Sequence, residues 1–562
     1  MVKKVRTLPE KFDGLRTALF LYNVGGASAT HLTGPIKEIP LQVKSSDMPF
    51  SNSQPQPLID EQDRQFQTDH LKADLGGRSV RGGLVTLTTQ IAKFFISTAA
   101  TIVVARLLTP QDYGLVGMVV ILISFLGLFQ YLGLPAATVR WPELNHSQVS
   151  TLFWLNVMLS TAIAVAVVGA SPLLARFYRE PRLIGIAAGY AIVIFLTGIS
   201  IQHLALLQRQ MRFVALTVID ICALSIGLGV TILAALRGAG YWALVLNQIV
   251  FALVTIAGAW IACSWRPSLP RLGSGVRSML TYGGNLTGYS FANFFAQNMD
   301  NALIGKFWGA YQLGIYSRAY QMLLMPLGQI NMPLSSVAVP ALSRLADSPE
   351  RYRAAYLRIL EKIAMLTMPA VVFLIGTSDW LILLLLGPRW REAGRIFMLL
   401  GIAAIIQPVS RTGLWLFITQ GRSREMFQWG VIGSIIAVGS IVAGLRWGAT
   451  GVAACYGIID LCVSTPLLFW YIGRKGPVRF RDVYQTITPA ICAAACSLIV
   501  LLVCRQWLES FFQHGVTRLA IAFGMTAAVS LLVFSALPAG RLAIKNLSDI
   551  LLVFRKKGES IA

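Results

Sequence analysis

Charge is what this sequence has least of. Only 13% of its 562 residues are Asp, Glu, Lys or Arg, against roughly 25% in an ordinary soluble domain, which excludes a water-solvated globule of this size. Acid is scarcer than base, 25 Asp and Glu against 48 Lys and Arg, for a net charge of +23. Cysteine is sparse as well. The seven, at 222, 263, 455, 462, 492, 496 and 504, lie in or at the ends of apolar runs, with no CxxC pair and no histidine at metal spacing, so neither a disulfide framework nor a zinc site is indicated. The five histidines are scattered, and GxxxxGK[ST], HExxH, GxSxG and DxD patterns are all missing. ATP hydrolysis by this chain therefore has no phosphate-binding loop to rest on, and no cofactor is called for. A membrane glycosyltransferase or polymerase would need a cluster of acids at the aqueous boundary, and none can be assembled.

What is plentiful is apolar sequence. Hydrophobic residues make up 55% of the chain and fall into runs of about 20, each long enough to cross roughly 30 Å of hydrocarbon as a helix. The run lengths predict an all-α polytopic membrane protein of about fourteen spanning helices, the first near 85–108, the seventh and eighth near 279–307 and 312–342, and the last near 519–537. Residues 1–80 differ in composition. Ser, Gln, Pro, Asp and Lys dominate and the apolar patch from Ala18 to Tyr22 is too short for a signal-peptide core, so this stretch reads as a disordered cytoplasmic extension, with Met48 an alternative start. The basic excess sits in loops between spans, which points to positive-inside topology and not to nucleic acid. Arg209, Arg212, Arg266, Arg271, Arg277 and the stretch from Arg344 to Lys362 fall in alternate connections. An even helix count then places both termini in the cytoplasm.

The chain also repeats itself. VVARLLTPQDYGLVG and ALIGKFWGAYQLGIY align Arg106 and Gly114 with Lys306 and Gly314 at an offset of 200, and Gln208 and Arg212 echo Gln420 and Arg424 at an offset of 212. Two six-helix lobes in parallel orientation follow, 81–273 and 274–476, with two further helices in 477–540 and a cytoplasmic tail in 541–562. Such halves enclose a cleft at their interface, where a transporter places its site.

Ionisable groups at bilayer depth cost a few kcal/mol each, so each is a site candidate until a structural partner is found. Lys93 sits about 12 Å into the first helix by the helical rise, either snorkelling to headgroups or meeting an anionic substrate. The seventh helix is the most polar, with Asn285, Asn293, Gln297, Asn298, Asp300 and Asn301; Asn298 and Asp300 are candidates to line the cleft or to bond neighbouring helices. Asp220 and Asp460 are lone acids in apolar runs, either ion-coupling sites or partners of a neighbouring base. Arg140, Arg318 and Arg411 are placed to complement a phosphate or to contact headgroups and loops. Arg106 and Lys306 fall in the last turn of their helices, where a cation suits the helix dipole. Prolines 135, 333, 369 and 408 are candidate kinks.

The segments DLGGRSVRGGLVTLTTQ, VVARLLTPQDYGLVGMV, QVSTLFWLNV, ALLQRQMRF and DNALIGKFWGAYQLGIYSRAYQ resemble the bacterial polysaccharide transport family, lipopolysaccharide biosynthesis proteins and oligosaccharide flippases of the WzxC kind. These belong to the multidrug, oligosaccharidyl-lipid and polysaccharide exporter superfamily. The resemblance runs from about Asp74 to the last helix. It implies two lobes, alternating access, and a sugar chain on a polyprenyl diphosphate carrier as the substrate. That substrate would move from the cytoplasmic to the outer leaflet of the bacterial inner membrane, with membrane lipid around it and polysaccharide polymerase or export proteins as further partners. An ion-coupled drug exporter of the same superfamily is the competing expectation; it would have twelve helices and more acid in its first lobe than Asp220.

Overall fold

The computed structural model describes residues 75–131, 135, 138–139, 144–270, 277–538 and 540–541. Fourteen long helices run through the described residues. The first half holds α1 (Leu75–Leu107), α2 (Pro110–Tyr131), α3 (His146–Tyr178), α4 (Leu183–Arg209), α5 (Phe213–Leu236) and α6 (Trp242–Ala262). One long helical segment, Arg277–Ser343, is broken at Gly309, whose φ of 79° suits a residue without a side chain. Its arms are α7 (277–308) and α8 (310–343). Then come α9 (Pro349–Gly376), a short helix Ser378–Leu385, α10 (Arg391–Thr419), α11 (Ser423–Gly444) and α12 (448–473), which contains a π-helical turn at Asp460–Ser464. Last are α13 (Phe480–Phe511) and α14 (Gly515–Ala536). The first helix starts at Leu75, ten residues before its apolar run and through the glycine pairs at 76–77 and 82–83.

The repeat is visible in the packing. Gly114 of α2 lies on the backbone of Ala310, and Gly314 of α8 lies on the backbone of Pro110, two contacts related by the same shift of 200 residues. A Cβ at either glycine would overlap a carbonyl oxygen, so only glycine lets the helices cross this closely. The second echo belongs two residues away from the register of the sequence match. Gln210, Met211 and Arg212 close α4 and open α5 as Gln420, Gly421 and Arg422 close α10 and open α11. Met211 and Gly421 both take positive φ, and Arg212 and Arg422 bond the carbonyls of Ala262 and Ile472 at 2.6 and 3.1 Å. The true offset is 210. The letters mislead because the left-handed position holds methionine in one half and glycine in the other.

The halves share one core at the end of the bundle that carries the α1–α2 and α7–α8 turns. Leu108, Tyr113, Leu115 and Met118 join Leu313, Tyr316, Trp390 and Phe397 in a continuous buried cluster. At the opposite end the cores separate. Leu144, Leu152, Phe153, Leu206 and Trp265 pack within the first half, and Leu342, Tyr356, Leu416 and Ile487 within the second. The end with the shared core is the closed end of the bundle. Large apolar side chains such as Met158, Val165, Leu173, Ile435, Val503 and Leu532 stay exposed on the helix surfaces, as a hydrocarbon solvent requires. Helices α13 and α14 dock on α9 and its short extension. Arg353 pairs with Asp482 near one end, and Arg505 with Asp379 near the other. In the turn between α3 and α4, Arg182 donates two bonds to Glu180, at 2.7 and 2.9 Å, and holds that carboxyl below the usual carboxylate range.

Candidate functional site

Lys93 and Asp220, 127 residues apart, form an ion pair that ties α1 to α5. The pair offsets the cost of each charge at bilayer depth. Both ends stay partly accessible, with 27% of the Lys93 side chain and 39% of the Asp220 side chain exposed. Asp220 also borders a largely apolar cavity of about 320 Å³ between α4, α5 and α6, with Ser200, Gln208, Phe251 and Thr255 among its walls. Lys93→Ala therefore strands an acid as well as removing a base. Either Lys93→Ala or Asp220→Ala should lower the amount of inserted protein, by the equivalent of about 1 kcal/mol for a half-exposed pair. The double substitution should recover most of it, read as membrane abundance by quantitative blotting.

Arg318 lies on α8, roughly 13 Å below the Gly309 break by the helical rise. Its guanidinium stacks 3.8 Å from the ring centre of Tyr113 on α2 and donates to Gln321 at 2.7 Å, with Tyr190 of α4 in electrostatic reach. No carboxylate forms an ion pair with it among the described residues. A cation thus stands between the halves, beneath the closed end, with aromatic rings and an amide for company. Cation–π contact holds such a group without neutralising it.

A second polar group lies inside the second half. Asp300 accepts from Tyr316 at 3.0 Å and from the backbone N–H of Asn301 at 2.7 Å. Tyr320 stacks parallel to Tyr316, hydrogen bonds Tyr456, and is in electrostatic reach of Asp300, Arg411 and Asp460. Gln407 donates to Tyr456 at 3.3 Å. Buried acceptors remain without a hydrogen-bond partner here, Asn301 Oδ1, Gln407 Oε1 and Asp460 Oδ2. Asp460 opens the π-helical turn, a backbone irregularity that recurs at functional sites. Asn298 spends its amide on the Phe294 carbonyl of its own helix, 3.0 Å away. Arg411 is exposed on α10. Arg140 lies outside the described residues, as does the extension before Leu75, and of Asn285 and Asn293 only the backbone course is described.

The structure thus joins Lys93 to Asp220, gathers Asp300, Arg411 and Asp460 around three tyrosines, and leaves Arg318 apart from both. The tyrosines at 113, 190, 316, 320 and 456 escaped the sequence reading. A tyrosine inside an apolar run carries no charge penalty to draw attention, and its partners are distant in sequence.

Fourteen long helices, twelve in two like halves and two more after them, with the Arg318 cation between the halves, define a membrane transporter of the two-lobed exporter type. The chain belongs to the polysaccharide biosynthesis protein family, which matches residues 103–395. It is similar to the teichuronic acid biosynthesis protein TuaB of Bacillus subtilis (strain 168), 26% identical over 396 residues that cover 70% of this chain and 81% of that one. The lipopolysaccharide biosynthesis protein WzxC of Escherichia coli (strain K12) is 24% identical, covering 66% and 75%. The succinoglycan biosynthesis transport protein ExoT of Rhizobium meliloti (strain 1021) is 23% identical, covering 76% and 86%. Among solved structures, the lipid II flippase MurJ in an inward closed conformation superposes with a TM-score of 0.60 at 14% identity, over 81% of this chain and 98% of that one. That likeness establishes the fold.

Proposed function

We propose that this chain flips a polyprenyl-diphosphate-linked oligosaccharide from the cytoplasmic to the outer leaflet by alternating access, in the making of lipopolysaccharide or exopolysaccharide. The observation that carries the reading is Arg318, an uncompensated cation between the halves. A diphosphate gains most from a bidentate guanidinium where water is scarce. Arg411 and Lys93 are further ligands at either side of the division, Lys93 once the substrate competes with Asp220 for it; Arg140, outside the described residues, is proposed as a ligand from the sequence alone. Asn298 and Asp300 bind substrate from the second half. Asp460, with a carboxylate oxygen lacking a partner, is the acid best suited to ion coupling, and Asp220 is the weaker one. WzxC, TuaB and ExoT are named for the biosynthesis or transport of polysaccharide, which supports the same substrate class, and the fold is shared with a protein named a lipid II flippase.

The test is transfer of a defined lipid-linked oligosaccharide across liposomes containing the full chain, scored by an enzyme that reaches only one leaflet. Steady transfer supports the reading. Efflux of a cationic dye under an ion gradient, with no transfer of the lipid-linked sugar, replaces it with drug export.

The closed end faces outward in this reading, with both termini in the cytoplasm of the inner membrane and the lobes at 81–273 and 274–476. Alkaline phosphatase, active only outside the cytoplasm, should be inactive when fused after Lys475 and active after Arg237. The reverse pattern inverts the orientation. Polymerase or export proteins as further partners belong to the same proposal.

A further inference from the structure

Two cations 200 residues apart make the same contact in opposite directions. Arg106, in the last turn of α1, crosses to the second half and donates to the carbonyls of Leu384 and Leu385. Those carbonyls end the short helix Ser378–Leu385, which extends α9. Lys306, near the end of α7, crosses to the first half and donates to the carbonyl of Phe177, in the last turn of α3. Its ammonium also sits 4.3 Å from the centre of the Phe177 ring. Helices α1 and α7 are the first of their halves, and α3 and α9 the third, so the contacts are one interaction made twice. In each, a cation meets the carbonyl end of a helix, where the backbone dipole is negative.

The position of these bonds gives them their meaning. Neither holds its own half together, since each joins one half to the other beside the Gly114 and Gly314 crossing. Trp390 strengthens the Arg106 side, donating to the Ala105 carbonyl at 2.8 Å and packing edge-on against Tyr113. A cation on a carbonyl is strong enough to hold, yet water and lipid phosphate compete for it once the halves begin to part.

We propose that Arg106 and Lys306 are paired latches that keep the closed end shut, and that both must release before the transport path opens there. The inference rests on the alternating-access reading above and assigns the closing force to two side chains that touch no part of the proposed substrate site. Because the latches span the same gap, losing one leaves the other holding. Losing both should shift the population by more than the sum of the single effects.

The test places Thr98→Cys, about 12 Å below the Arg106 latch along α1, in the full chain. Membrane-impermeant maleimide is added to one face at a time, and labelling of residue 98 is read by mass spectrometry so that the native cysteines do not interfere. Arg106→Gln and Lys306→Gln together should raise labelling from the closed face about tenfold or more, the equivalent of about 1.4 kcal/mol, and lower it from the opposite face. Arg106→Lys combined with Lys306→Gln, which keeps one charged donor across the gap, should stay near the wild-type value. Unchanged labelling from both faces at equal abundance would overturn the latches, as would a rise from the opposite face. No substrate is present, so the outcome is independent of whether the lipid-linked sugar is flipped. Failed flipping with the predicted labelling would fall on the substrate reading and spare the latches.

Discussion

Arg318→Ala should insert and accumulate like the wild type and lose flipping by about 100-fold or more. The size follows from the bonds at stake, since hydrogen bonds to a charged group contribute about 1.5 to 3 kcal/mol each, and a guanidinium can offer two to a diphosphate. Abundance should be spared because the alanine removes a charge from bilayer depth without stranding a partner. The neighbours of Arg318 are the Tyr113 ring and the Gln321 amide. Arg318→Lys should keep about a tenth of the activity, because an ammonium retains charge but loses the planar stack on Tyr113 and the paired donors. The liposome transfer assay at matched protein levels measures both. Normal transfer by Arg318→Ala would remove this residue from the substrate site and leave the diphosphate reading without its main support.

Gly114→Ala is the second change of large effect. Its new methyl group would overlap the carbonyl oxygen of Ala310, a backbone atom that cannot rotate away. Overpacking of this kind costs about 1 to 3 kcal/mol, or roughly 5- to 150-fold in the population of the closed arrangement. Flipping should fall accordingly, because a carrier that cannot close at one end cannot alternate. Gly314→Ala should reproduce the loss, as the overlap recurs there with the Pro110 carbonyl. Gly127→Ala is the control on the same helix as Gly114, with open space where the methyl would lie, and should flip normally. A silent Gly114→Ala would mean that the two helices part easily at this point and that the crossing is no seal.

The fold was legible because the bilayer imposes its thickness on the sequence. Runs of about 20 apolar residues and the loops between them gave fourteen helices, and the Arg106 and Lys306 motif gave the two halves. The site was legible only in part. Charge at depth is conspicuous in a chain this apolar, so Lys93, Asp220, Asp300, Arg318, Arg411 and Asp460 all stood out. Which of them meet was hidden, because a pair such as Lys93 and Asp220 depends on the rotation of α1 against α5, and run length carries no information about rotation. Arg106 and Lys306 read correctly as last-turn cations, yet the carbonyls they satisfy belong to helices of the other half. The tyrosines stayed invisible for the opposite reason to the charges. Phenol tolerates an apolar neighbourhood well enough that its placement looks ordinary until Asp300, Gln407 and Arg318 are seen beside it.

The close glycine crossing has a mechanical side. Contact of backbone on backbone at one end of two long helices is a fulcrum, with short resistance on one side and long arms on the other. From Gly114 to the far end of α2 is about 25 Å at the helical rise, and from Gly314 to the far end of α8 about 45 Å. A tilt of only 10° about that point carries the tips roughly 4 and 8 Å sideways, while the atoms at the fulcrum itself hardly move. A mouth wide enough for a hydrated sugar chain is thus within reach of a small rocking motion, and leverage supplies the travel that the packed glycines do not.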